Sequence, residues 1–138
     1  MSSIYYGHIV LELNETSQMN AQKVLDDLPE NGQYCIKEIF HLVPYSRSHA
    51  YYGAMITFSW HLKGSYCIDE ELIKEFELLL TLLEWSSAEM IVTWSGTVIK
   101  WGRLRDKNAM NYLAPNQFAR SFYGSMWDLS ELDEGSVL

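Results

Sequence analysis

Cysteine is scarce in this 138-residue sequence, basic residues are few, and no long apolar run occurs. The two cysteines, Cys35 and Cys67, stand outside any CxxC spacing. Two are too few for a disulfide framework, so a reduced, cytoplasmic setting is expected. Ten Lys and Arg against 18 Asp and Glu leave a formal net charge of −8. That argues against nucleic acid as a direct ligand, because backbone phosphates need a basic footprint. The densest basic run is the loosely spaced Lys100, Arg103, Arg105 and Lys107. The longest strongly apolar run, Leu78–Leu83, is interrupted by Thr81. It falls far short of the roughly 20 residues that cross a bilayer, so no membrane span is expected. The opening MSSIYYGHIVLEL has no basic leader region and no cleavage-like site, so no signal peptide is expected.

Catalytic spacings are also missing. The glycines, at 7, 32, 53, 64, 96, 102, 124 and 135, are isolated and build no phosphate-cradling loop. GxSxG does not occur, and no HxH, HxxxH or HExxH spacing marks a metal site. Asp26 and Asp27 are neighbours on a helix, so their carboxylates diverge. The expectation is a protein without enzymatic activity and without a cofactor.

What is present is one acidic, apolar segment, DEELIKEFELLLTLLEW, from Asp69 to Trp85. Leu72, Phe76, Leu79, Leu80 and Leu83 recur at helical spacing. Asp69 stands where an N-cap belongs, and Glu70 and Glu71 follow where the helix dipole favours negative charge. Asp69, Glu70, Glu71, Glu75, Glu77, Glu84 and Glu89 face only Lys74 in basic charge. Leu78, Leu82 and Trp85 form a second stripe at i, i+4, i+7, more than one core face requires. Aromatics at 14%, with five Trp and nine Tyr, make an aromatic-rich binding surface plausible.

Along the chain, residues 4–13 read as a strand with Tyr5, Ile9, Leu11 and Leu13 on one face. A short helix to Leu28 follows the cap-rich Asn14-Glu15-Thr16-Ser17, and Pro29-Glu30-Asn31-Gly32 breaks it. Residues 33–43 and 50–62 read as a hairpin closed by PYSRSH. After the acidic helix, 88–94 and 97–104 flank a Ser95-Gly96 turn. The tail from Asp106 is less regular, and Pro115 to Tyr123 reads as a short helix with Phe118 and Phe122 four apart. The last stretch, from Trp127 to Glu134, is acidic with spaced apolar residues. The expected architecture is a single α+β domain over 1–138, with 106–138 as an extension. Its βαββαβ order with one extra strand resembles the ferredoxin-like fold, which implies an antiparallel sheet with two helices on one face.

On the face without helices, alternation places Tyr6, His8 and Glu12, then Cys35, Lys37 and His41, then Thr57, Ser59 and His61. His8, His41 and His61 are the candidate metal or acid–base residues, though their spacing is that of ordinary sheet residues. Cys35 and His41 lie too far apart along a strand for a nucleophile–base pair, and the acids after Cys67 oppose its thiolate, so both cysteines read as structural. Trp94 and Trp101 with Arg103 and Arg105 read as cross-strand aromatic packing in preference to a stacking platform for single strands.

Small size, acidity and missing catalytic motifs lead to the functional expectation. It is a protein that binds and neutralises another, basic protein, as an immunity protein does for a toxin, often a nuclease. A phage-encoded inhibitor of a host defence complex makes the same physical demands. The surface expected to do this comprises Glu70, Glu71, Glu75, Glu77, Leu78, Leu82 and Trp85, with Trp127, Asp128 and Glu131 of the tail. The alternatives are a small enzyme or metal-binding protein using the histidine face, and a ligand-sensing domain that dimerises through its sheet.

Overall fold

The computed structural model describes residues 2–44, 54–63, 68–107, 111–124 and 132–136. Strand β1 (Ser2–Leu11) leads into helix α1 (Glu15–Asp26). The Asn14 side chain caps that helix, accepting from the Ser17 N–H at 2.7 Å. β2 (Phe40–Val43) and β3 (Met55–Lys63) precede helix α2 (Glu70–Leu80). β4 (Trp85–Val92), β5 (Thr97–Arg103), β6 (Gln117–Tyr123) and β7 (Leu132–Ser136) complete the chain.

The result is an α+β fold: an antiparallel sheet of six strands in the order β2-β3-β1-β4-β5-β6, extended by β7 pairing on β6. It is richer in strand than the sequence suggested. Every strand pair is antiparallel, and β1 is central, between β3 and β4. A bulge at Val10/Leu11 shifts the β1–β4 register so that Leu11 meets Trp85.

One face of the sheet carries the core. Tyr5, Ile9, Ile56, Phe58, Trp60, Met90, Ile99, Trp101 and Phe118 alternate inward and join Ala21 and Leu25 of α1 and Leu72, Phe76 and Leu80 of α2 in a single cluster. Phe76 anchors α2: its ring lies 4.9 Å from Phe58 and 4.8 Å from Trp101. The aromatic excess is thus largely core, since Trp60, Trp85 and Trp101 are all buried.

Several expectations are corrected. Residues 33–39 are not strand. Lys37 N–H donates to the Pro29 carbonyl at 3.0 Å and Lys37–Ile39 forms a 3-10 turn, so only Phe40–Val43 joins the sheet. The Pro29–Gly32 break folds this segment back before pairing begins. Cys35 and Lys37 therefore do not stand on the open sheet face. The expected third strand begins at Met55, and residues 50–53 of the expected span lie outside the described residues. The turn after β4 is wider than two residues, with Gly96 N–H donating to the Val92 carbonyl and Gly96 at φ 69°.

Helix α2 stops earlier than the apolar periodicity implies. Thr81 is its C-cap, with its hydroxyl donating to the Leu78 carbonyl at 2.6 Å. Trp85 is therefore no part of a helical stripe; it opens β4. The expected helix over 115–123 is instead β6. Phe118 and Phe122 four apart fit a period of two as well as one of 3.6, and pairing with β5 decides between them. Among the described residues no helix is long and apolar enough to cross a membrane.

Candidate functional site

The outer surface of α2 grows from its cap. Asp69 accepts from the Leu72 N–H at 3.1 Å through one oxygen and from the Tyr34 hydroxyl at 2.5 Å through the other. Its own N–H donates to the Tyr5 hydroxyl at 3.0 Å. That arrangement fixes where the helix starts and hence which residues face outward. The Asp69 hydrogen bond, with burial, pushes the Tyr34 hydroxyl up to about 12. Beside it, burial and then the Glu75 carboxylate push the Cys35 thiol up to about 12. A thiol pushed up in this way resists forming the thiolate that nucleophilic attack requires.

With the start fixed, Leu72, Ile73, Phe76, Leu79 and Leu80 point to the sheet. Glu70, Glu71 and Lys74 are exposed, and Glu75 is half-buried. Leu78 is 46% and Leu82 is 59% exposed. Glu71, Glu75 and Leu78 follow one another at i, i+4, i+7 on the helix, and Leu82 stands in the turn just past its C-cap. The stripe is acidic toward the helix start and apolar toward its end.

Leu13 is a further exposed leucine. It was expected inward on β1, but β1 ends at Leu11 and Leu13 is 65% exposed. Glu12 N–H donates to the Glu84 carbonyl at 2.9 Å, so the segments bearing Leu13 and Leu82 meet at one end of the sheet. The signal in the sequence is the position of Leu13 directly before the Asn14 cap, where a strand has already finished.

Two residues assigned to this surface do not belong to it. Glu77 is buried on the inner side of α2, where its Oε2 accepts from Trp101 Nε1 at 2.7 Å and from Arg120. A carboxylate that faces the core needs such partners. Trp85 is fully buried; its Nε1 donates to the Pro115 carbonyl at 3.2 Å and its ring lies 6.0 Å from Phe118. Trp127, Asp128 and Glu131 lie outside the described residues.

The aromatic-basic patch is not formed either. Trp101 faces the helices, and Arg103 is consumed in structure. Its guanidinium donates to Glu12 at 3.0 Å, to the Trp85 carbonyl at 2.9 Å and to the Leu113 carbonyl. Tyr112 is sandwiched between Arg103 at 4.8 Å and Arg105 at 4.6 Å.

The histidines share the open face without converging. His41, Thr57, His8, Glu89, Lys100 and Ser121 stand in one register row across six strands. His8 and His41 flank Thr57 two strand spacings apart, roughly 10 Å. His61 pairs with Ile4, roughly 13 Å along β1 from His8. Ligands of one zinc ion each sit about 2 Å from the metal, so these three do not form one site. Among the described residues no group of three or more His, Cys, Asp or Glu is placed to hold a metal ion.

No protein-family model matches the chain, and no curated protein or solved structure matches it at a significant level.

Proposed function

We propose that this protein acts without catalysis, binding and neutralising a basic partner protein in the cytoplasm, in the manner of an immunity protein against a toxin such as a nuclease. The observation that carries this reading is the outer stripe of α2. Two leucines, Leu78 and Leu82, stay exposed at the end of a helix whose first turn presents Glu70 and Glu71. Apolar anchors inside a charged rim are the anatomy of a specific interface. The net charge of −8 supports a basic partner, whose approach it accelerates. A phage-encoded inhibitor of a defence complex uses the same surface in the same way, and partner identity separates the two. The strand order β2-β3-β1-β4 with α1 and α2 supports a ferredoxin-like core, carrying β5 to β7 as an extension.

Charge reversal tests the reading. Glu71→Lys with Glu75→Lys should slow association with the captured partner about tenfold at low salt, with little change in dissociation. An unchanged on-rate removes α2 from the interface.

A further inference from the structure

The sheet face opposite the helices does not look like a solvated face. Antiparallel sheets with one wet face alternate apolar inward and polar outward. Here the polar row from His41 to Ser121 is flanked by less polar ones. On one side run Val43, Met55, Val10, Ser87, Gly102 and Ala119 in register. On the other run Ser59, Tyr6, Ile91, Val98 and Tyr123. Tyr6 is 41% and Tyr123 is 51% exposed. A shallow groove of about 570 Å³ opens beside Tyr6, between Ile39, His41, Thr57 and Ser59.

We infer that this face is the contact surface of a two-fold homodimer, in which Tyr123 of each copy enters the groove beside Ile39 and His41 of the other. The strand register supports this pairing. An axis lying in the interface, parallel to the strands and midway between β1 and β4, carries β1 onto β4, β3 onto β5 and β2 onto β6. Such an axis makes an isologous contact, in which each pairing occurs twice.

The polar row and the row of Met55 and Gly102 become complementary under that operation. In the polar row, His8 faces Glu89 of the second copy, Thr57 faces its Lys100 and His41 faces its Ser121. In the next row, large meets small. Met55 lies over Gly102, Val43 over Ala119 and Val10 over Ser87. In the third row, Tyr6 faces Ile91 and Ser59 faces Val98. Tyr123, at the end of β6 beyond its pairing with β7 and beside Lys100, falls over the groove at the β2 edge.

Shape and charge agree on one arrangement, while an axis along the rows sets His8 against His8, Glu89 against Glu89 and Lys100 against Lys100. The size reaches the lower bound of a specific interface, about 1,000 Å² in total. Six strands at about 4.8 Å and roughly 20 Å of strand length give roughly 500 Å² of plane per copy, before side-chain relief. A standard interface buries about 800 Å² of accessible surface per partner. The dimer leaves both α2 helices on its outer faces, so it stands independently of the α2 reading.

Gly102 supplies a clean test. A Cβ added there meets nothing within 4 Å, so a side chain fits the single copy. In the dimer it strikes Met55 of the second copy. Sedimentation equilibrium of the full chain at about 50 µM should give twice the 16.0 kDa chain mass. Gly102→Glu should weaken the dimer at least about tenfold while keeping the wild-type far-UV circular dichroism spectrum, and Tyr123→Ser should weaken it with the fold equally intact. A wild-type monomer at about 50 µM overturns the inference. So does a dimer that neither variant weakens, since the contact then lies elsewhere.

Discussion

Glu77 and Arg120, 43 positions apart, form an ion pair beneath helix α2. The Trp101 indole N–H completes it. This contact ties the helix to β5 and β6 and turns an apparent surface acid into part of the core. Arg120→Met leaves the Glu77 carboxylate buried without its counter-charge and should cost about 3–5 kcal/mol in urea unfolding. Replacing both, as Glu77→Leu with Arg120→Met, should recover most of that loss, because the desolvation cost disappears with the charge. A double variant no more stable than the single one contradicts this.

Two glycines of the sheet, Gly7 on β1 and Gly102 on β5, should behave oppositely. A Cβ on Gly7 would stand 1.8 Å from the Glu89 carbonyl oxygen, which is backbone and has nowhere to go. Gly7→Ala should therefore destabilise by about 3 kcal/mol as β1 and β4 separate. Measured at a dilution where the chain is monomeric, Gly102→Ala should be neutral or slightly stabilising, since its Cβ enters open space in the single copy and alanine loses less entropy on folding. Equal melting temperatures for the two variants would be inconsistent with the close approach at Gly7.

Tyr34 and Cys35 together predict an alkaline weakness. Asp69 raises Tyr34 from 10.0 to about 12, and burial with Glu75 raises Cys35 from 9.0 to about 12. Both groups hold their proton more tightly folded than unfolded. Their contribution is complete below about pH 9 and is lost as pH rises through about 12. Urea midpoints measured from pH 8 to pH 11 should fall more steeply for the wild type than for Tyr34→Phe with Cys35→Ala. Parallel curves would show that neither proton is held by the fold.

The same burial governs reactivity. In a Cys67→Ser background, Cys35 should alkylate with iodoacetamide at pH 8 at least about tenfold more slowly folded than in urea, because only the thiolate attacks. Equal rates would mean an open, ionised thiol.

Much of this fold was legible in the chain. The Asp69 cap, the inward face of α2 and the alternation of Ile56, Phe58 and Trp60 follow from local spacing, which needs no partner to be read. The end of α2 was not legible, because Leu78 to Leu83 continues a helical pattern and no glycine or proline stops it. Only the pairing of Trp85 with Leu11 moves that residue into β4. β6 was misread for a related reason, since Phe118 and Phe122 fit both periods and the choice is made by β5. Glu77 was assigned outward by its charge, when its helical phase shared with Ile73 and Leu80 pointed in. Its partner Arg120 is too distant in sequence to be anticipated. Within the proposed site, Glu70, Glu71, Leu78 and Leu82 were found because exposure on a helix follows from phase, whereas Leu13 required the true end of β1.

The central claim is that the exposed stripe of α2 binds a partner protein. Its most direct measurement is affinity capture from native lysate at about 50 mM and about 500 mM salt, comparing wild type with Leu78→Asp plus Leu82→Asp. Both leucines are exposed, so the variant should fold with wild-type stability to within about 0.5 kcal/mol. The account predicts one basic protein retained by the wild type, strongly at low salt and partly at high salt, and absent from the variant. An empty capture by the wild type, or the same protein held equally by the variant, contradicts it.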